Sequence, residues 1–365
     1  MNAGVCVIAR RAVLFACALA FLAGLAQAQH YAITDLGLMS GNAVNDSGEV
    51  VGGGYPPKPN HGFLWIKASG MHDLGTFPGN PPGGQYSSAV GINRTGEITG
   101  VSGAPTTGYP LPYFKPSLSQ PMENIGLVPN YGNSHAIYGN AYSINNLGDI
   151  VGSNILNYGD EVAFFWSKAT GVRQLYQPRG GRQTRAASIN DVGQIVGLCQ
   201  VPDSTSPGTL VWRACLWAAH TSIPQSIGTL SQEHIASTAN AINHSGEVVG
   251  TSSNASTWHA FLWTAQSGMM DLGVLDPNGF SEALAINAAG EVVGRVASTQ
   301  KTGVNPNYRG FVWTKAGGMK DLNHLIPSGT GWALQWASSI NTSGEIVGYG
   351  YLHGQIHGYL LTPVP

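Results

Sequence analysis

Three arginines within seven residues form the most concentrated charge in the chain. Arg179, Arg182 and Arg185 stand in the segment Arg-Gly-Gly-Arg-Gln-Thr-Arg. A guanidinium group can donate two parallel hydrogen bonds to a carboxylate, sulfate or phosphate. The segment therefore predicts a site for an acidic polysaccharide or another polyanion, with a solvated loop that binds nothing as the alternative.

A second group of side chains has the chemistry of acid–base catalysis. Glycoside hydrolysis needs two carboxylic groups at a fixed separation. None of the candidates stands in a recognised catalytic motif such as Gly-x-Ser-x-Gly or His-Glu-x-x-His. We therefore treat a polysaccharide hydrolase or lyase as the alternative interpretation, with its acid and base among Asp160, Glu161, Glu233, His234, Asp276 and Glu282.

Large aromatic residues are a third group with a recognition chemistry. Tyr and Trp combine a flat apolar ring with a polar group, which suits stacking on a sugar ring. The candidates are Tyr158, Trp258, Trp332 and Trp336. The alternative is that these rings pack the loops against each other.

The N-terminus has the three parts of a secretory signal, for which we predict the bounds 1–28. Arg10 and Arg11 supply the positive end, residues 12–25 an apolar stretch, and Ala26-Gln27-Ala28 a cleavage site. We expect a bacterial protein that is exported to the periplasm or beyond, with one domain over 29–365 and no membrane span. In an oxidising compartment Cys199 and Cys215 predict a disulfide, with two buried thiols as the alternative.

The composition excludes several classes of protein. Only 10% of residues are charged, whereas glycine reaches 50 and proline 21. A chain with so little charge is neither a coiled coil nor a basic nucleic-acid-binding protein. We expect an all-β, turn-rich monomer that needs no cofactor.

One phrase recurs seven times and predicts the architecture. Its first copy runs from Ala43 to Gly52, and the spacing between the central asparagines of successive copies is 44 to 54 residues. A second phrase follows, clearest as His-Ala-Phe-Leu-Trp at 259–263 and Gly-Met-Met-Asp-Leu-Gly at 268–273. Each unit thus offers four short strands, A to D, which is the size of a propeller blade.

The last unit lacks its strand D, and residues 31–37 at the other end of the mature chain match the missing pattern. The N-terminal strand would then complete blade seven and leave no open edge. We predict a seven-bladed β-propeller of four-stranded antiparallel blades.

Each A–B turn has the pattern Asn-x-x-Gly, which suits a tight hairpin in which Asn bonds to the backbone two residues on and Gly takes a positive φ. A carboxylate follows this Gly in six copies, and these carboxylates could alternatively hold calcium. The turn glycines are Gly48, Gly96, Gly148, Gly193, Gly246, Gly290 and Gly344.

These phrases resemble the HAF-type extracellular repeat family of bacteria, named for the His-Ala-Phe that stands here as His259-Ala260-Phe261. The variants His61-Gly62-Phe63, Arg309-Gly310-Phe311 and His357-Gly358-Tyr359 follow the same pattern. The resemblance implies export and a repeated β fold, and it supplies no catalytic residues.

Two repeated polar positions are expected to be structural. The His or Arg that begins strand C, as in His61 and Arg309, predicts hydrogen bonds between blades. The Asp of strand D, as in Asp73 and Asp271, is expected to hold the repeat together.

The loops differ in how much their lengths vary. Strand A is predicted to be innermost because its residues are small, so the A–B and C–D turns of nearly constant length share one face. The B–C and D–A loops vary in length and share the other face, where binding residues usually lie on a rigid scaffold. Our leading interpretation is a non-catalytic binding scaffold for an extracellular glycan or a cell-surface protein.

Overall fold

A computed structural model describes residues 30–54, 60–79, 86–104, 107–129, 134–298 and 308–364. The predicted signal, 1–28, lies outside these residues. The strands in chain order are β1 (His30–Gly37), then β2 (Met39–Val44), β3 (Val50–Gly54), β4 (Gly62–Ile66) and β5 (Gly70–Asp73) in blade 1, and β6 (Ser87–Ile92), β7 (Ile98–Gly103), β8 (Pro110–Lys115) and β9 (Glu123–Asn124) in blade 2.

The remaining blades repeat this order. Blade 3 has β10 (Ala136–Ile144), β11 (Ile150–Leu156), β12 (Glu161–Ser167) and β13 (Gly171–Gln174), and blade 4 has β14 (Thr184–Ile189), β15 (Ile195–Pro202), β16 (Leu210–Trp217) and β17 (Gln225–Gly228). Blade 5 has β18 (Ala236–Ile242), β19 (Val248–Ser253), β20 (Trp258–Thr264) and β21 (Gly268–Asp271). Blade 6 has β22 (Phe280–Ile286), β23 (Val292–Ala297), β24 (Tyr308–Thr314) and β25 (Gly318–Asp321), and blade 7 has β26 (Trp332–Ile340), β27 (Ile346–Leu352) and β28 (Gln355–Val364).

The chain is a seven-bladed β-propeller of four-stranded antiparallel blades, as predicted. The N-terminal strand β1 pairs with β28 from His30–Val364 to Gly37–Gly358 and completes blade 7. The first strand of each blade contacts the first strands of both neighbours, so strand A is innermost around the whole ring. One short 3-10 helix, Leu322–His324, follows β25. The part of the chain that the structure describes contains no helix long and apolar enough to cross a membrane.

The A–B turns have the predicted chemistry. Their seven glycines have φ values between 74° and 83°. The side-chain oxygen of the motif Asn accepts two backbone hydrogen bonds. In blade 1, Asn45 Oδ1 accepts from Ser47 N at 3.1 Å and from Glu49 N at 3.0 Å. The Asn side chain therefore organises the whole turn.

Every strand A contains a β-bulge at one equivalent position, which the sequence did not predict. In blade 5 the register shifts between Ala239 and Ala241, which leaves Asn240 as the extra residue. Opposite the bulge lies Gly250 of strand B. A Cβ atom at this position would clash with the Thr238 carbonyl oxygen, because the two atoms would be much less than 3.0 Å apart. The same close approach occurs at the strand B glycine of all seven blades. Only glycine fits there, which explains the third residue of the repeated Val-Val-Gly.

The hydrophobic core is divided into seven clusters, one between each pair of neighbouring blades. Between blades 1 and 2, for example, Val51 and Leu64 pack against Ala89 and Ile98. Hydroxyl groups on strand A add hydrogen bonds across four of these interfaces. Ser281 Oγ accepts from Ala260 N of the preceding blade at 2.9 Å, and Ser87, Thr184 and Ser237 do the same.

The prediction of inter-blade bonds from the strand C cations is wrong for the three histidines. His61 bonds to Asp73, His259 to Asp271 and His357 to Asp35 at 2.8–2.9 Å, each within its own blade. Strands C and D are neighbours and these positions lie side by side, so the repeated His and the repeated Asp are each other's partners. The two arginines do reach segments that link two blades, because Arg213 donates to Ile235 O and Arg309 to Asp276. Arg309 also donates to the strand D residue Asp321 of its own blade at 3.0 Å, as the histidines bond to theirs.

A disulfide joins Cys199 of β15 to Cys215 of β16, with 6.0 Å between the two Cα atoms. Both residues are fully buried. Cys215 stands where blades 1, 3, 5 and 6 carry the Phe of the second phrase, so the bridge fills a place that an aromatic ring fills elsewhere.

Candidate functional site

The central channel has a mouth on the face of the B–C and D–A loops, which we call the variable face. Seven residues hold one equivalent position on the innermost strands near this mouth, each five residues before a motif Asn. Each forms a cross-strand pair with a residue of strand B, as Glu282 does with Arg295 and Trp336 with Tyr349. The seven are Ser40, Ser88, Asn140, Arg185, Thr238, Glu282 and Trp336.

Planar side chains are stacked on one side of this mouth. The Arg295 guanidinium lies 3.7 Å from the centre of the Trp336 ring and 4.6 Å from that of Tyr308. Trp336 also stacks on Tyr349, at 5.5 Å between ring centres and 21° between planes. We call these four residues the aromatic column. Burial raises the pKa of Tyr349, so its hydroxyl keeps its proton and can donate a hydrogen bond.

The variable face also contains a cleft. It opens between blades 1 and 2, has a volume of about 290 Å³ and is lined by small residues such as Ser40, Gly53 and Ser88, with Tyr86 among its walls. The small side chains of blades 1 and 2 leave open space on their side of the mouth. On the side of blades 6 and 7, large side chains fill the equivalent space.

The three predicted anion-binding arginines have different partners. Arg182 forms an ion pair with Asp160 at 2.9 Å. Arg185 donates to both oxygens of Glu161, at 2.7 and 2.8 Å. These hydrogen bonds raise the pKa of Arg185. Arg179 is exposed and has no ion-pair partner among the described residues. Two of the arginines are thus paired with two of the catalytic candidates.

The other catalytic candidates are spread over blades 5 and 6. Arg309 binds Asp276, and Arg295 binds Glu282 at 2.7 Å. Glu233 is exposed, and His234 lies 2.9 Å from the Ser252 hydroxyl. Four of the five candidate carboxylates are therefore occupied by arginine. Among the seven residues of the mouth, Glu282 is the only carboxylate.

The remaining aromatic candidates do not meet at one place. Tyr158 is exposed at the tip of a B–C loop. Trp258 stacks on Phe280 at 3.9 Å, and Trp332 has its ring edge-on to His357 and Tyr359. Trp336 alone lies at the mouth. The alternative of rings packing loops together thus describes Trp258 and Trp332.

The opposite end of the channel is a funnel of about 300 Å³ on the face of the A–B turns, which we call the constant face. The Nδ2 atom of each motif Asn donates to the backbone carbonyl of the motif Asn in the next blade, at 3.0–3.2 Å. The seven bonds form a closed ring. Beneath it, Val44 and six isoleucines make an apolar floor.

The Asn residues also explain the carboxylate after each turn glycine. Asn45 Nδ2 donates to Glu49 at 2.7 Å, and equivalent bonds to Glu, Asp or Gln occur in the other blades. Calcium binding is the alternative role for these carboxylates. The described residues include no cluster of three or more His, Cys, Asp or Glu side chains placed to hold a metal ion.

The rim of the funnel is formed by the residue that follows each motif Asn. Sequence reasoning placed the functional surface on the variable face and did not single out this position. The sequence feature that could have identified this position is that its residue type varies between blades, whereas the Asn and Gly of the same turn are constant. The rim residues are Asp46, Arg94, Asn146, Asp191, His244, Ala288 and Thr342.

Comparison with known proteins supports the fold and leaves the activity open. A family model described as a protein of unknown function, DUF3466, matches residues 183–353. No curated protein matches the chain. The β-propeller domain of the trilobed protease from Pyrococcus furiosus is similar, with a TM-score of 0.54 at 10% identity over 91% of this chain and 95% of that one.

Two further solved structures have the same fold. Puromycin hydrolase is similar with a TM-score of 0.53 at 12% identity, over 86% of this chain and 50% of that one. An oligogalacturonate lyase in complex with manganese is similar with a TM-score of 0.51 at 11% identity, over 92% and 96%. At these identities the likeness shows the propeller fold alone.

Proposed function

We propose that this protein is an exported, non-catalytic scaffold that binds an extracellular glycan at the mouth on the variable face. The observation that carries the proposal is the aromatic column, which lies on the same face as a cleft lined by small residues. Flat rings and a guanidinium plane offer stacking surfaces, and the surrounding Ser, Thr and Asn side chains offer hydrogen bonds. The signal-like N-terminus and the resemblance to HAF-type repeats support export.

The column and the cleft together offer two kinds of contact to a sugar chain on the variable face. Arg295, Trp336 and Tyr349 follow one another along the mouth, and Tyr349 belongs to the blade that precedes Ser40. A chain that stacks on the column would continue into the cleft between blades 1 and 2. The column thus supplies apolar contact and the cleft supplies room and hydroxyl groups.

The arginine pairs favour binding over hydrolysis. A general acid must hold a proton where the substrate can take it. In Glu161 both oxygens accept from Arg185, and Asp160, Asp276 and Glu282 are each held by another arginine. These carboxylates are placed to orient side chains and not to transfer protons.

The test is size-exclusion chromatography of labelled neutral and acidic polysaccharides incubated with the purified protein. If the protein binds a polysaccharide, the labelled polysaccharide should elute earlier, together with the protein. Label that elutes later has been cleaved, which would replace this proposal with the hydrolase or lyase. An unchanged elution across the panel would refute glycan binding and favour a cell-surface protein as partner.

Two matched variants test the location. Trp336→Leu should weaken glycan binding about fivefold because an aromatic stacking contact contributes on the order of 1 kcal/mol. Trp258→Leu makes the same change on the same face, away from the mouth, and should leave binding within about twofold. A loss in Trp258→Leu alone would move the site to the loops.

A further inference from the structure

We infer that the funnel on the constant face contains a binding site for a carboxylate ligand, next to Ala288 and His244. This site lies at the other end of the channel from the proposed glycan site and does not depend on it. The inference starts from the backbone N–H groups of the seven rim residues, which the propeller places in equivalent positions.

Three of these N–H groups show what the position binds. Asn146 N donates to Asp191 Oδ1 of the next blade at 2.9 Å, and Thr342 N donates to Asp46 Oδ1 at 3.0 Å. Arg94 N donates to Asn146 Oδ1 at 2.9 Å. In each case the acceptor is a side-chain oxygen on the rim residue of the next blade.

The two carboxylates also accept a second hydrogen bond from the same neighbour. Asn146 Nδ2 donates to Asp191 Oδ2 at 2.8 Å, and the Thr342 hydroxyl donates to Asp46 Oδ1 at 2.7 Å. The repeated arrangement is therefore a carboxylate held by the backbone N–H and the side-chain donor of the preceding rim residue. Charge-assisted bonds of this kind are stronger than neutral ones.

The same arrangement is incomplete in blades 1, 4, 5 and 6, where the rim N–H groups of Asp46, Asp191, His244 and Ala288 have no acceptor among the described residues. Of these four residues, only His244 also carries a side-chain donor. The next rim residue after His244 is Ala288, which has no oxygen in its side chain. Among the described residues, the N–H groups of His244 and Ala288 have no acceptor, and both residues are exposed in the funnel. His244 carries an imidazole that can serve as the side-chain donor, as Asn146 and Thr342 do.

A ligand carboxylate at Ala288 would complete the pattern. Its oxygens would accept from His244 N and from the His244 ring, in the place that Asp191 and Asp46 occupy in their own blades. Asp46 and Asp191 show that the rim holds carboxylates despite the acidic turns around it, and Arg94 contributes a positive charge to the rim. The funnel, at about 300 Å³, has room for the rest of a small molecule or for the end of a chain.

The experiment is a titration of the full-length protein with sodium acetate, followed by the amide signals of His244 and Ala288 in ¹⁵N NMR spectra. Saturable shifts at both amides are expected, and acetamide should cause smaller ones because it is uncharged. Absence of a saturable shift at these two amides would overturn the inference. Sodium glucuronate and triglycine, titrated in the same way, then distinguish a sugar acid from a peptide C-terminus as the natural source.

Two variants separate occupation of the site from charge. Ala288→Asp supplies the carboxylate from the protein itself, so acetate binding should fall at least about tenfold and the His244 amide should shift without acetate. Ala289→Asp adds the same charge one residue further, where the backbone N–H already bonds to Asn287 Oδ1, and should retain binding within about threefold. Equal losses in both variants, or none in Ala288→Asp, would contradict the site.

Discussion

Two tyrosines at equivalent places on strand C differ in whether their hydroxyl has a partner. Tyr359 Oη donates to Trp336 O at 2.8 Å, whereas the fully buried Tyr113 Oη has no partner among the described residues. An unpaired buried hydroxyl costs about 1–3 kcal/mol, and a paired one contributes on the order of 1 kcal/mol. Tyr113→Phe should therefore stabilise the protein by about 1 kcal/mol, and Tyr359→Phe should destabilise it by a similar amount.

Urea denaturation of the two variants beside the parent protein measures both effects. The pair is its own control, since each change removes one oxygen from a buried ring at the same place in a blade. Equal shifts in the same direction would show that the pairing of the hydroxyl does not decide the outcome.

Asp149 is the one Asp among the carboxylates that follow the turn glycines, and its side chain is too short for the place. Asn145 Nδ2 lies 3.3 Å from it, against 2.7–2.8 Å for the five glutamates. Asp149→Glu should restore the shorter bond and stabilise the protein by about 0.5–1 kcal/mol at pH 7. Glu247→Asp makes the reverse change in blade 5 and should lose a similar amount.

The effect of Asp149→Glu should depend on pH. Burial raises the pKa of Asp149 in the folded protein, against the opposing effects of Asn145 and His220. A carboxyl whose pKa is raised by folding favours the folded state at low pH, and this contribution is lost as the pH rises above its ordinary value of 3.8. Denaturation curves at pH 3.5 and pH 7 should therefore show the larger gain at pH 7. A gain that is equal at both pH values would contradict this explanation.

The bulged strand A and the glycine of strand B form one structural unit in every blade. Gly250→Ala would bring a methyl group against the Thr238 carbonyl, so we expect a loss of about 2–4 kcal/mol in the free energy of unfolding. Ser253→Ala, on the same strand but without such a contact, should change it by less than about 0.5 kcal/mol. Thermal unfolding monitored by circular dichroism measures both, and a tolerant Gly250→Ala would mean that the bulge can move.

The closing strand β1 contributes to two inter-blade interfaces at once. Tyr31 packs in the cluster between blades 6 and 7, and Leu36 packs in the cluster between blades 7 and 1. Leu36→Ala should cost about 2–4 kcal/mol, as for other buried leucines, whereas the exposed Thr34→Ala should cost less than about 0.5 kcal/mol. Hydrogen exchange should then be fastest in blades 7 and 1, and a uniform increase around the ring would argue against closure by β1.

The repeated phrases were sufficient to predict the number of blades, the closing strand and the turn glycines, because each copy of the repeat supports the same structural interpretation.

Contacts between side chains were harder to predict from the sequence. The His of strand C and the Asp of strand D are 12 residues apart in sequence, and only the register of the two strands makes them neighbours. The aromatic column joins Arg295 to Trp336 across two blades, a contact that spacing along one chain does not encode. The rim of the funnel could not be predicted from the sequence, because its shared feature is a set of backbone N–H groups, which every residue type except proline has.

Val44 and the six isoleucines of the funnel floor each pack in a different one of the seven cores between neighbouring blades. They are at most 9% exposed, so the funnel ends on the inner ends of all seven cores. A ligand in the funnel and a ligand on the variable face would contact different residues, and their binding free energies should therefore add.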